Sequence, residues 1–192
     1  MNNKIVSLNQ LKDIKKKCHK NGKKIVLVHG VFDVIHLGHL DHFKEAKSHG
    51  DILVVSLTLD KFVNKGINQP YFKIEQRCNF LSHMDLIDYV TVSNSSSSIE
   101  VIKNLKPNFY CKGVDYKPRS GDKAGNLQLE KNTTEKHGGK LIFTKGQQFS
   151  STKILNENFQ EFKFVNKEVN KLFQNNNEKK DILESFYLSL KS

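Results

Sequence analysis

A doubly wound, parallel five-stranded α/β sheet with a helical appendage at its C-terminus is the fold class this sequence predicts. Three observations carry it. Short β-branched apolar runs alternate with helix-period segments from about residue 25 to residue 157. The first such unit is a strand that runs through Gly30, turns, and enters a helix. At 192 residues and 37% hydrophobic, the chain can bury one sizeable core and has some length left over.

Each element has a local reason. Leu8 to Lys20 reads as a helix carrying Lys15-Lys16-Lys17, and Ile25-Val-Leu-Val28 as a buried strand. Leu40 to Lys47 spaces Leu40, Phe43 and Ala46 around one helical face. Asp51 to Leu57 is a second apolar strand, followed by a short helical stretch, Leu59 to Asn64, and a polar one, Lys65 to Tyr71. Ile74 to Met84 forms a helix with Ile74, Cys78 and Leu81 on one side, and Tyr89-Val-Thr-Val92 a third strand. Ile99 to Leu105 is helical, and Phe109-Tyr-Cys111 is the fourth strand. After a polar, glycine-bearing segment, Gly113 to Gly125, a helix runs to about His137 and Lys140-Leu-Ile-Phe143 makes the fifth strand. Ser150-Ser-Thr152 caps a last core helix. One domain is expected over 1–158, with an N-terminal helix at about 7–20 and a core at 23–157. A helical tail, 159–192, is interrupted at Asn175-Asn-Asn177.

Composition narrows the function classes. No run approaches the length of a membrane span and no apolar leader follows the start, so no membrane partner is expected. Cys18, Cys78 and Cys111 show no CxxC pairing, which fits reduced thiols in a cytoplasmic protein. Of the net charge of +11, +7 falls on the first 24 residues, away from the glycine-bearing turn. A nucleic-acid footprint belongs on the working surface; here a solvated lysine face is the expectation, with no nucleic acid as partner.

The chemistry concentrates in His29 to His39. Gly30 and Gly38 permit close approach to the backbone. The helix start offers free N–H groups and the positive dipole end to a phosphate, and His36 and His39 can both face the same anion. Zinc on His36, His39 and His42 is the bland alternative, but it leaves Gly38 unexplained and finds no Cys, Asp or Glu beside it in an obvious ligand pattern; no metal site is expected. His42 reads as a solvated helix position, Phe32 as core beneath the loop, and Asp33 as a tie for the turn. His29 either lines the site or is a satisfied polar residue near the rim.

With Gly-x-Phe-Asp at Gly30 to Asp33 ahead of His36-Leu-Gly-His39, the chain resembles the HxGH nucleotidyltransferases. The resemblance is to the cytidylyltransferase-like group, in its sugar-phosphate branch of heptose-type adenylyltransferases and glycerol-3-phosphate cytidylyltransferases. It spans about residues 23–157 and implies a Rossmann-like nucleotidyltransferase fold. It also implies nucleotide-binding roles for Gly30, Val31, Phe32 and Gly38, and catalytic ones for His36, His39 and Lys65, the last on a loop over the phosphates. Arg77, in Glu75-Gln-Arg77, binds a phosphate on this reading, or else pairs with Glu75 or Asp88. Lys112-Gly-Val-Asp-Tyr116 matches the Lys-Gly-Gly-Asp-Tyr of heptose-type enzymes, which places Lys112, Gly113 and Asp115 beside base and ribose. Ser150, Ser151 and Thr152 match a Ser-Thr-Thr-x-Ile signature that cradles phosphate; upstream, where cytidylyl-transferring relatives carry Arg, this chain has Lys145.

The implied reaction is NTP plus a sugar- or polyol-phosphate giving an NDP-sugar or NDP-polyol for surface-polysaccharide synthesis, with pyrophosphate released. ATP or CTP is the expected donor, with Mg²⁺ carried by the nucleotide as cofactor. A coenzyme-type adenylyltransferase and a nucleotide-binding module without turnover are the alternatives. Relatives of this group often pair, which implies a homodimer. In two-domain relatives the module accompanies a sugar kinase, expected here in the same pathway or as a fused domain missing from this chain.

Overall fold

The structure, a computed structural model, describes residues 4–63, 70–113 and 126–145. In chain order these form α1 (Leu8–Lys20), β1 (Ile25–Gly30), α2 (Leu37–Ser48), β2 (Ile52–Thr58), α3 (Ile74–Ser82), β3 (Tyr89–Ser93), α4 (Ile99–Leu105), β4 (Phe109–Gly113), α5 (Asn126–Lys136) and β5 (Lys140–Thr144). A 3-10 turn, Asp60–Phe62, follows β2. The expected cap at Ser150 to Thr152 and the tail from Phe159 lie outside the described residues.

All five strands are parallel, in the order β3-β2-β1-β4-β5. Alternation decides which face each side chain serves. Val26 and Val28 of β1 join Leu53, Val55 and Cys111 under α2 and α3, where Phe43, Ala46, Cys78 and Leu81 pack. Ile25 and Leu27 join Val54 and Tyr110 on the other face, under Leu11 and Cys18 of α1 and Val101, Ile102 and Leu105 of α4. The sheet is thus doubly wound. All three cysteines are buried in these two layers as free thiols, and burial pushes Cys78 to about 11 and Cys111 to about 12. No helix among the described residues is long and apolar enough to cross a membrane.

The two edges of the sheet are built differently. At the amino ends, side chains close the ladder: Asp51 accepts from Lys24 N, Asn108 from Ile25 N, and Asp88 from Leu53 N while also pairing with Lys47. The carboxyl ends are left to loops and helix starts. Because the chain proceeds outward from β1 to β3 and returns on the far side of β1 to make β4, the strand order reverses between β1 and β4. A ligand crevice belongs outside the carboxyl ends at that reversal.

Asp88→Ala leaves the Leu53 N–H without its acceptor at the entry of a central strand. Urea denaturation should show a loss of about 1–3 kcal/mol, whereas Lys47→Met, which spares that bond, should lose clearly less.

Candidate active site

β1 ends at Gly30 and the chain turns through Val31 to Ile35 before α2 begins. Phe32 holds φ at +47°, a left-handed conformation that costs an ordinary residue about 1–2 kcal/mol. Its ring lies against Gly30, where a Cβ would come within 2.9 Å of two ring carbons. Gly30 therefore makes room for Phe32. Phe32 is itself buried, tilted against Phe43 at 5.1 Å and edge-on to His39 at 5.2 Å. His39 in turn stacks on His36, with ring centroids 3.8 Å apart and planes within 19°. The two imidazoles form one half-buried platform standing on an aromatic floor.

His36 is the extended N-cap of α2, and its side chain makes no capping bond. Both rings thus sit at the helix start, where the N-cap residue leaves the first main-chain N–H groups uncapped by its own side chain, with Gly38 buried in the first turn. An anion placed there meets the dipole, main-chain N–H groups and two ring edges together.

Arg77, for which the resemblance implied a phosphate, turns its guanidinium into the protein, and its ion-pair partner is Asp60 instead of Glu75 or Asp88. Arg77 is 2% exposed. Its Nε donates to Phe72 O, one terminal nitrogen to Val31 O, and the other to Thr58 O and Asp60. Asp33 adds a second clasp, accepting from Tyr71 N at 2.7 Å and Phe72 N at 2.8 Å. It ties the turn as expected, but to a segment 38 residues away. The turn after β1, the end of β2 and the entry to α3 are bound into one unit. Lys65 lies outside the described residues, as do Asp115, Ser150, Ser151 and Thr152.

A buried polar row crosses the opposite face of the sheet. Thr91, Ser56 and His29 are in register on β3, β2 and β1, and Lys112 follows Cys111 on β4 as His29 follows Val28. His29 contacts Ser56 at 3.2 Å and Thr58 at 3.4 Å, so it is a satisfied interior residue. Burial, helped by the Lys112 charge, lowers its pKa to about 4. Lys112 is held in the interior by Glu130 of α5, at 3.2 Å, instead of standing at the rim beside a base. Gly113, half-buried, has open space where a Cβ would point, with no atom of the described residues within 4 Å.

His42 is not solvated. Its Nδ1 lies 2.6 Å from Thr144 Oγ1, which also donates to Lys112 O. Burial, and then the Lys112 charge, lower its pKa to about 4. Among the described residues no group of three or more His, Cys, Asp or Glu side chains is arranged to hold a metal ion.

Arg77→Met should destabilise the fold by about 3–5 kcal/mol, since it strips partners from the half-buried Asp60 carboxylate and from three carbonyls. Arg77→Lys should recover little of this, because an ammonium cannot reproduce the planar fork; equal denaturation midpoints for Arg and Lys would refute the clasp. Acid provides a second test. Unfolded, His29 and His42 take up protons near pH 6.5, whereas in the fold they resist until about pH 4. The stability they confer is complete above pH 6.5 and is lost as pH falls towards 4. At two protons per molecule the slope reaches up to about 2.7 kcal/mol per pH unit near pH 5. His42→Asn should reduce that slope by one proton in urea titrations at several pH values.

A family model described as cytidylyltransferase-like matches residues 27–182. The bifunctional protein HldE of Geobacter metallireducens is 34% identical over 159 residues, covering 80% of this chain and 31% of that protein. HldE of Aliarcobacter butzleri is 34% identical over 135 residues, covering 68% and 28%. The chain thus spans less than a third of the length of these relatives. Among solved structures, the lipopolysaccharide core biosynthesis protein of Thermoplasma volcanium superposes with a TM-score of 0.53 at 25% identity, over 67% of this chain and 100% of that one. Pantoate-beta-alanine ligase of Francisella tularensis also reaches 0.53, over 77% of this chain and 68% of that one, but at 18% identity it speaks for the fold alone. A histidine pair at the start of α2, in a doubly wound parallel sheet that the family model matches over most of its length, makes this chain a member of the cytidylyltransferase-like family.

Proposed function

We propose that the chain transfers a nucleotidyl group from ATP or CTP to a sugar-phosphate or polyol-phosphate. The observation that carries this reading is the stacked His36–His39 pair at the N-terminus of α2. The names of two relatives, a bifunctional protein HldE and a lipopolysaccharide core biosynthesis protein, support a carbohydrate acceptor destined for surface polysaccharide. The word bifunctional also supports a second activity beside this one, for which a sugar kinase supplying the phosphorylated acceptor is the fitting class.

In the reaction, an acceptor phosphate oxygen attacks the α-phosphorus in line. A new P–O bond forms as the bond to the β-phosphate breaks, and pyrophosphate leaves with the electron pair. His36 and His39 hydrogen-bond phosphate oxygens as charge builds on them, while the main-chain N–H groups of α2 hold the anion in place. Lys65 and Ser150 to Thr152 hold the leaving pyrophosphate on the family pattern. Mg²⁺ would be carried by the nucleotide as its cofactor and would supply neutralisation of the triphosphate's charge.

A matrix of four NTPs against sugar and polyol phosphates, read by pyrophosphate release, tests the reading. ATP or CTP should be used with a clear preference, since a missing base contact in a buried pocket costs about 1–3 kcal/mol. Use of GTP or UTP alone would refute the donor assignment, and silence across the whole matrix the acceptor class. His39→Ala should lower kcat by about a hundredfold or more, as expected on loss of a transition-state donor, with an unchanged thermal midpoint. Near-normal kcat would remove His39 from the mechanism.

A further inference from the structure

The layer between the sheet and α5 carries charge where apolar packing would serve. The buried residues of α5 are Glu130 and Thr134. Glu130 is 2% exposed and faces Lys112, itself 6% exposed. Burying such a pair takes two charges out of water, and it seldom stabilises more than an apolar pair of the same volume. Stability alone is a poor account of it.

Its surroundings are ordered for one purpose. Glu130 Oε1 accepts from Ser98 N at 2.8 Å, and Oε2 accepts the Tyr110 hydroxyl at 2.9 Å in addition to pairing with Lys112. Ser98 Oγ donates to the same Tyr110 hydroxyl at 2.9 Å, fixing it from behind. Burial would raise the Glu130 carboxyl, but Lys112, the Ser98 N–H, His29 and the Tyr110 hydroxyl outweigh it and hold the group below the ordinary carboxylate range. The carboxylate is ionised and cannot turn, so the ammonium opposite is fixed as well. The main chain of the same lysine is gripped from the other side, through Thr144 and His42, by the helix that begins at His36. Gly113 follows, and strand alternation turns its open side towards the α2 face.

We infer that Glu130 is a positioning residue for nucleotide binding: by clamping Lys112 from α5 it holds the end of β4, with the open face of Gly113, at a set distance from the histidine pair. The inference rests on the nucleotidyl-transfer reading above. Glu130 stands away from the reacting atoms, so its charge governs how well the nucleotide is received and leaves the chemical step to His36 and His39. Such a role changes KM and spares kcat.

The test uses the full chain. Glu130→Gln keeps the volume and an acceptor for Ser98 N, but puts an amide NH2 in place of the oxygen that faces Tyr110 and Lys112 and removes the charge opposite Lys112. Lys112→Met removes the other half, and the double variant closes the cycle. Calorimetry with the preferred NTP and steady-state kinetics should show Kd and KM for that NTP raised at least fivefold in Glu130→Gln, with kcat within twofold of wild type. In the Lys112→Met background, Glu130→Gln should add nothing further. A lower thermal midpoint with unchanged Kd and KM, a fall in kcat alone, or additive effects in the double variant would each overturn the inference. If Glu130→Gln does not fold, Tyr110→Phe removes one bond to the same carboxylate and should raise KM two- to threefold; an unchanged KM there overturns it equally. A wild-type chain that binds no NTP would sink the nucleotidyl-transfer reading and this one with it. Wild-type binding that Glu130→Gln leaves intact sinks this one alone.

Discussion

The guanidinium of Arg77 is the constraint on which the carboxyl edge depends. A fork of fixed geometry donates to Val31, Thr58, Phe72 and Asp60, four points on three separate stretches of chain. Those carbonyls lie where regular structure stops: Thr58 ends β2, Val31 follows β1 and Phe72 precedes α3. A lysine could meet one or two, and an apolar residue none. With the fork in place, Phe32 can sit in its left-handed conformation and serve as a floor for the histidines. Asp33 is then presented to the amides of Tyr71 and Phe72.

Charge inside the protein is divided between the two faces of the sheet in a way that suits this plan. On the α2 and α3 face the ion pair of Arg77 with Asp60 lies within the turns, and the central strands β1 and β2 beneath present Val26, Val28, Leu53, Val55 and Leu57. On the other face the strands themselves become polar at their carboxyl ends, through Ser56, His29 and Lys112, with Glu130 supplied from the covering helix. The imidazole of His29 and the ammonium of Lys112 are neighbours in that row: burial first, and then the Lys112 charge, keep the imidazole neutral.

Much of this was legible in the sequence. Strands at Ile25, Ile52, Tyr89, Phe109 and Lys140 declare themselves through β-branched runs, and the strand–turn–helix around Gly30 through its glycines and histidines. What stayed hidden is what depends on tertiary partners. Nothing local distinguishes an Arg that reaches phosphate from one that reaches four backbone and carboxylate oxygens, so Arg77 and its partner Asp60 had to be seen. His42 looks solvated on a helix of mixed character until Thr144, 102 residues later, comes to meet it. Lys112 was noticed for its motif, but its carboxylate was not. A trace of Glu130 was available: α5 is poor in apolar residues, and a helix covering a parallel sheet must turn something inward, leaving Leu127, Glu130 and Thr134 as its inner stripe.

The strand order has a consequence for how the protein comes into being. β1 finds β2 along one edge early in the chain, but its other edge waits for β4, which is made only after β3 and α4. The seam between β1 and β4 is therefore the latest of the central pairings to close and the one with the longest intervening loop, so entropy opposes it most. The crevice lies on that seam. During synthesis the histidine platform exists before the strand that completes its surroundings, and a ligand bridging the two would act as a fastener on the joint that opens first.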